Sequence, residues 1–326
     1  MKRVGITGPA GSGKTTIWKA IGGSRAAGDI ATVEVPDPRL DELVAMHSVS
    51  RRAAKRVPVH IELVDVHQPS QTPAAGIARL REMEAVLVVA PAFGGLDGEA
   101  SLESFLEELV IADLAPVEKR MERARKDPAA KNEIPALESA LTMLSSGAFL
   151  SERDWDEPLR AALSALAPIT LKNLLIVWNV DESGAVGAPP QSSHPVIVLN
   201  AAVEAEVSDM GAAEAKVLLE AYGIEGMAKD KVLRAIFTSF DLITFFTLNE
   251  KEVRAWELKA GATAPIAAGT IHTDMQRGFI RAEVASFDDV ANAGSWDAAK
   301  SSGRVRVEGK DYVVADGDVI RIRFSV

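Results

Sequence analysis

Near the start of the chain, Gly8-Pro9-Ala10-Gly11-Ser12-Gly13-Lys14-Thr15 fits the pattern G-x-x-x-x-G-K-[ST] at every position. Phosphate chemistry asks for these residue types in this order. The glycines let the loop Pro9, Ala10, Gly11, Ser12, Gly13 wrap a β-phosphate with its backbone N–H groups turned inward. The helix that follows brings its positive end to the same place through Lys14, Thr15 and Thr16. The Lys14 ammonium reaches the β/γ oxygens, and the Thr15 hydroxyl would coordinate Mg²⁺. Ordinary residue frequencies give on the order of a 1% chance of one such match in a chain this long. A bound nucleotide therefore outweighs an accidental Gly-rich turn.

Two strand ends could complete such a site. Asp65 closes the apolar run VHIELVDV, where a carboxylate would hold Mg²⁺ through water. The order after it, Val66-His67-Gln68-Pro69, puts Gln68 where D-x-x-G switch segments carry a glycine. His67 is the one group there with a pKa near neutrality, so it is a candidate for orienting the attacking water; the plainer reading of a lone histidine is no chemistry. Asn179-Val180-Asp181-Glu182 closes the run NLLIVWNV, where an N-K-x-D motif would read a base. An aspartate in fourth place accepts two hydrogen bonds from guanine. Glu182 is one methylene longer and Val180 replaces the lysine, so the reading leans to ATP while leaving GTP open.

These groups need a parallel sheet to hold them. KRVGIT (2–7) reads as a strand and KTTIWKAI (14–21) as a helix. ATVEV reads as a strand, Pro-Asp-Pro as a turn and RLDELVAMH as a short helix. VHIELVDV, AVLVVAPAF (85–93), NLLIVWNV and VIVL are near-continuous Val/Ile/Leu runs separated by helical patterns, as in sheets covered on both faces. Residues 101–126 and 133–146 read as a helical hairpin inserted between two strands, most simply a solvated arm. From about residue 242 short alternating segments and turn signals announce a small α+β domain.

The 326 residues carry 36 Lys+Arg against 46 Asp+Glu, a formal net charge of −10, which argues against a protein that wraps duplex DNA. With no Cys, disulfides and thiolate chemistry are excluded. No stretch reaches the roughly 18 apolar residues of a membrane span, and no secretory signal follows MKR. A soluble, cytoplasmic, monomeric protein is expected. Arg51, Arg52, Lys55 and Arg56 form the densest basic run, and Arg304, Arg306, Arg321 and Arg323 alternate on C-terminal strands, so each pair would share a face. The first cluster is a candidate RNA contact and the second a candidate docking surface for RNA or a protein, each weighed against an ordinary solvated or salt-bridged surface.

Longer blocks resemble the YchF / Obg-like ATPase family: the phosphate loop, ATVEVPDPRLDEL (31–43), IADLAPVEKRMER (111–123), NVDE (179–182) and NAAVEAEV (200–207). The C-terminal blocks EVRAWELKAGATAPIAAGTIHTDMQRGFIRAEV (252–284) and EGKDYVVADGDVIRIRF (308–324) are similar to that family's TGS domain. The resemblance implies an α/β fold: a P-loop GTPase-like, mostly parallel sheet with a coiled-coil helical insertion, plus a ubiquitin-like β-grasp C-terminal domain. Domains are expected at 1–95 and 166–225 (nucleotide-binding), 96–165 (helical insertion), 226–241 (linker) and 242–326 (TGS-like). The resemblance also implies ATP chosen over GTP through Asn179 and Glu182, with Asn200, Ala201 and Ala202 on the nucleotide side. Slow Mg²⁺-dependent hydrolysis and association with ribosomes or RNA are implied as well. Two departures stand out. Only GGSRAAGDI lies before ATVEVPDPRL, without the threonine of switch I, and the D-x-x-G glycine is Gln68. The expectation is therefore either a weak or partner-dependent hydrolase, or an inactive relative for which nucleotide is a structural ligand.

Overall fold

The computed structural model describes residues 1–23, 26–50, 54–66, 72–181, 188–208, 210–222 and 227–325. In chain order the first elements are β1 (Lys2–Thr7), α1 (Lys14–Gly22), β2 (Ala26–Ala27), β3 (Ile30–Glu34), α2 (Pro38–Ser50), β4 (Lys55–Val57), β5 (His60–Asp65), α3 (Pro73–Arg81) and β6 (Ala85–Ala92). Helices α4 (Gly98–Lys126), α5 (Ile134–Ser145) and α6 (Glu157–Ser164) follow, then β7 (Asn173–Val180), β8 (Val196–Leu199), α7 (Ala201–Val207), α8 (Ala212–Ala221) and α9 (Ala228–Ser239). The chain closes with β9 (Leu242–Leu248), β10 (Glu252–Lys259), α10 (Ala264–Ile271), α11 (Thr273–Arg277), β11 (Phe279–Ser286), α12 (Phe287–Ala293), α13 (Trp296–Ser301), β12 (Arg306–Glu308) and β13 (Asp318–Phe324).

The chain forms two compact units, Met1–Val33 with Ile61–Val232 and Glu34–His60 with Leu233–Val326. In the first, a seven-stranded sheet runs β2-β3-β5-β1-β6-β7-β8. The pairs β1–β5, β1–β6, β6–β7 and β7–β8 are parallel, and only the β2–β3 hairpin at the edge is antiparallel among the pairings described. Strand β6 is buried at every position, as a central strand covered on both faces must be. The inserted helices α4, α5 and α6 are not a free arm. Leu109, Val117, Met121, Leu137, Ala140 and Leu144 join one buried cluster with Val88, Ala90 and Ile176 of the sheet. A polar clamp fixes their base: fully buried Asp113 accepts from Thr170 N–H (2.7 Å) and Thr170 Oγ1 (2.8 Å) and pairs with Arg81 (2.8 Å).

The second unit is built on a six-stranded sheet, β12-β11-β13-β9-β10-β4. Its last strand comes from far upstream: Lys55–Val57 pairs parallel to Glu252–Arg254. Helix α2 belongs here too, so residues 34–60 sit with the C-terminal unit and not with the nucleotide-binding domain expected over 1–95. Arg39 ties this excursion in, pairing with Asp316 at 2.7 Å and Asp37 at 2.8 Å. Most of the expected linker 226–241 is helix α9, whose Val232, Leu233, Ile236 and Phe237 recur at helical spacing and are buried.

Each described arginine of the two basic clusters is engaged. Arg56 is engaged by Glu34 and Asp41, while Arg51 and Arg52 lie outside the described residues. Arg304 falls before β12 and pairs with Asp289, so it does not alternate with Arg306, whose guanidinium lies over the Tyr312 ring. Arg321 covers Trp296 at 4.7 Å and Arg323 bonds Glu283. Among the described residues no helix is long and apolar enough to cross a membrane.

Candidate functional site

Strand β1 runs buried up to Thr7 and then turns sharply. Gly8 has φ +142, and a Cβ there would strike the Val89 carbonyl of the neighbouring strand, so the turn demands glycine. The loop ends at Gly13, which precedes α1 in a left-handed conformation (φ 90, ψ 17), with no side chain capping the helix. The first-turn amides of Lys14, Thr15 and Thr16 are thus left for something other than a capping side chain. Pro9 is half-buried, Ala10, Gly11 and Thr15 are exposed, and Ser12 is buried with its hydroxyl unpartnered among the described residues.

Lys14 folds back over this loop, its ammonium donating to the carbonyls of Gly8 (2.9 Å) and Pro9 (2.6 Å). Burial lowers its pKa, and the nearby Asp65 carboxylate works in the opposite direction. Asp65 arrives by register: β5 pairs with β1 so that Asp65 lies beside Ile6, one residue short of the loop. It is buried, and its N–H donates to the Asp29 carbonyl at 2.8 Å. An uncapped helix start, a half-buried cation and an acid on the adjacent strand are the donor set that a magnesium-bound polyphosphate requires.

On the other side of the loop opens a cleft of about 550 Å³. Gly13 and Thr16 line it from the phosphate loop, Asn179 and Val180 from the end of β7, and Asn200, Ala201 and Ala202 from the turn after β8. Phe93 and Asp181 line it as well, and neither was singled out in the sequence. Glu182 lies outside the described residues, as do His67, Gln68 and Pro69. Every contributor lies at or beyond the carboxyl end of a parallel strand, the crevice where open α/β sheets place ligands. That rule is what could have marked Phe93: an aromatic ring directly after β6, followed by Gly94 and Gly95.

Asn179 joins the two halves. Its amide nitrogen donates to the Ser12 carbonyl at 3.0 Å, and its amide oxygen accepts from Ala201 N–H at 3.0 Å. The side chain is therefore a strut between the phosphate loop and the turn after β8. Asn200 caps α7, its side-chain oxygen accepting from Ala202 N–H (3.0 Å) and Val203 N–H (3.1 Å), which fixes the cleft's far wall.

Comparison with known proteins follows the same lines. Residues 242–325 match the family model YchF-GTPase_C, described as a protein of unknown function (DUF933). The chain is 33% identical over 364 aligned positions to "Ribosome-binding ATPase YchF" of Escherichia coli O157:H7, covering 99% of both chains. The chain belongs to the YchF family. The YchF protein of Bacillus subtilis is 32% identical with the same coverage. The fold agrees with a solved YchF GTPase from Schizosaccharomyces pombe at TM-score 0.88 and 24% identity, covering 99% of this chain and 97% of that one. The alignment to the Escherichia coli YchF is longer than this chain's 326 residues, so that relative carries residues this one lacks.

Proposed function

We propose that this YchF-family chain binds a nucleoside triphosphate with Mg²⁺, prefers ATP to GTP, and hydrolyses it slowly or only with a partner. It acts in the cytoplasm as a monomeric switch on the ribosome or another RNA. The observation that carries this reading is the Asn179 strut, which makes the phosphate loop and a cleft of nucleoside size parts of one construction. In this reading the loop amides and Lys14 hold the β/γ oxygens, and Thr15 and Asp65, the latter through water, hold the metal. Mg²⁺ when bound supplies charge neutralisation at the transferring phosphoryl group. Phe93 and Val180 offer apolar surface for the base, with Glu182 reading its edge.

Slow turnover follows from what the switch segments lack. Removing a backbone donor and a metal ligand from the developing charge costs about 10²-fold or more in rate. His67 is the proposed water-orienting group, and unchanged partner-stimulated turnover in His67→Ala would remove it. The same departures favour a second reading, a non-catalytic module with nucleotide as structural ligand. Phosphate release from Mg²⁺-ATP, with and without ribosomes and with Lys14→Ala as control, separates the two. Lys14-dependent release that ribosomes accelerate supports the switch, and no release under either condition supports the inert module.

A further inference from the structure

Away from the nucleotide cleft, the first three turns of α4 face the turn after α5 and the segment before β8 across a groove of about 490 Å³. Its floor is apolar, formed by buried Leu102 and Phe149 with half-buried Leu106 beside them. Its rim is acidic: Glu99, Glu103, Glu107 and Glu152. None of these four has an ion-pair partner among the described residues, although Glu152 accepts a hydrogen bond from Ser193 Oγ at 2.7 Å. Such a row of like charges repels itself and is costly to keep without an opposing cation.

An independent observation points into the same groove. His194 is nine-tenths buried, with 9% of its surface exposed, and lines the cavity. Its ring packs edge-on against Phe149, centroids 4.8 Å apart, and neither ring nitrogen has a hydrogen-bond partner among the described residues. Burial lowers its pKa, with Glu152 opposing. A neutral imidazole held there presents a lone pair that suits an incoming N–H donor.

We infer that this groove binds an extended, lysine- or arginine-bearing peptide segment of a partner protein. Glu99, Glu103 and Glu107 recur every four residues on one helix face, so they step along it by about 6 Å each and span about 12 Å. An extended chain places alternate side chains about 6.6–6.8 Å apart, close to that step. Alternate basic side chains would meet the glutamates while their aliphatic stems lie on the apolar floor.

The test is fluorescence anisotropy of a labelled peptide alternating lysine and alanine, titrated with the full chain at low salt. Saturable binding is expected, weakened about tenfold or more by Glu103→Lys with Glu107→Lys. His194→Phe, which keeps the ring contact but removes the nitrogens, should weaken it about threefold. Glu118→Lys with Glu122→Lys changes the net charge equally on exposed positions of the same helix outside the groove, and should leave binding within about twofold. Melting curves of both double variants check that the fold persists. The inference is overturned if the two double variants weaken binding equally, if no saturable binding occurs, or if spermidine binds as tightly as the peptide.

Discussion

Replacing Asn179 by alanine removes two hydrogen bonds at once, one to the Ser12 carbonyl and one from Ala201 N–H, both at 3.0 Å. Ser12 and Ala201 are buried, so each group loses its partner where solvent is scarce. An unsatisfied buried polar group costs about 1–3 kcal/mol. Because the site borders an open cleft, water will reach part of the gap, and the lower quarter of that range applies, about 1–1.5 kcal/mol for each group and about 2–3 kcal/mol for the pair. For a unit of this size that lowers Tm by about 4–12 °C. The same loss frees the phosphate loop from the cleft wall, so nucleotide affinity should fall by about ten- to a hundredfold, each factor of ten being about 1.4 kcal/mol. Asn179→Asp keeps the acceptor for Ala201 but sets a carboxylate against the Ser12 carbonyl, and should bind no better than the alanine variant. Melting curves and titration with a fluorescent ATP analogue read both effects. Affinity within about twofold of wild type in a folded Asn179→Ala protein would refute the strut.

Gly13→Ala forces a left-handed residue, worth about 1–2 kcal/mol, and drives its Cβ into the Asn179 amide; melting and titration should show lost stability and abolished nucleotide binding together. Lys14→Met should abolish binding yet melt no lower than wild type at neutral pH without nucleotide. Folding lowers the Lys14 pKa below its ordinary 10.5, so the unfolded chain holds the extra proton. Wild-type stability therefore gains from this group as pH rises toward 10.5, and melts across alkaline pH should show that gain missing in Lys14→Met. Asp113→Ala leaves Arg81 and the Thr170 donors without their buried acceptor and should cost about 3–5 kcal/mol in urea unfolding.

Most of the nucleotide unit is legible in the sequence because its cues are local. The strand, glycine turn and helix of the phosphate loop are written in adjacent residues, and the parallel strands β5, β6, β7 and β8 lie in near-continuous apolar runs. What escapes depends on partners far along the chain. Lys55–Val57 is too short and too basic to read as a strand, and it is one because β10 supplies the pairing. Helix α2 is legible locally, but nothing local says which unit receives residues 34–60. Phe93 is hidden because it ends an apolar run that already explains it. Asn179 was legible as a site residue but not as a strut, since the Ser12 carbonyl it binds is 167 residues away.

The central claim is that the loop at Gly8–Thr15 and the cleft beside it form one nucleotide site. Calorimetric titration of the full chain with Mg²⁺-ATP, repeated with Mg²⁺-GTP and with Lys14→Ala, tests it most directly. One saturable site per chain for ATP, weaker for GTP and absent in Lys14→Ala, is the predicted result. No binding of either nucleotide would contradict the site itself. A tenfold preference for GTP, about 1.4 kcal/mol, would contradict the adenine reading of Glu182.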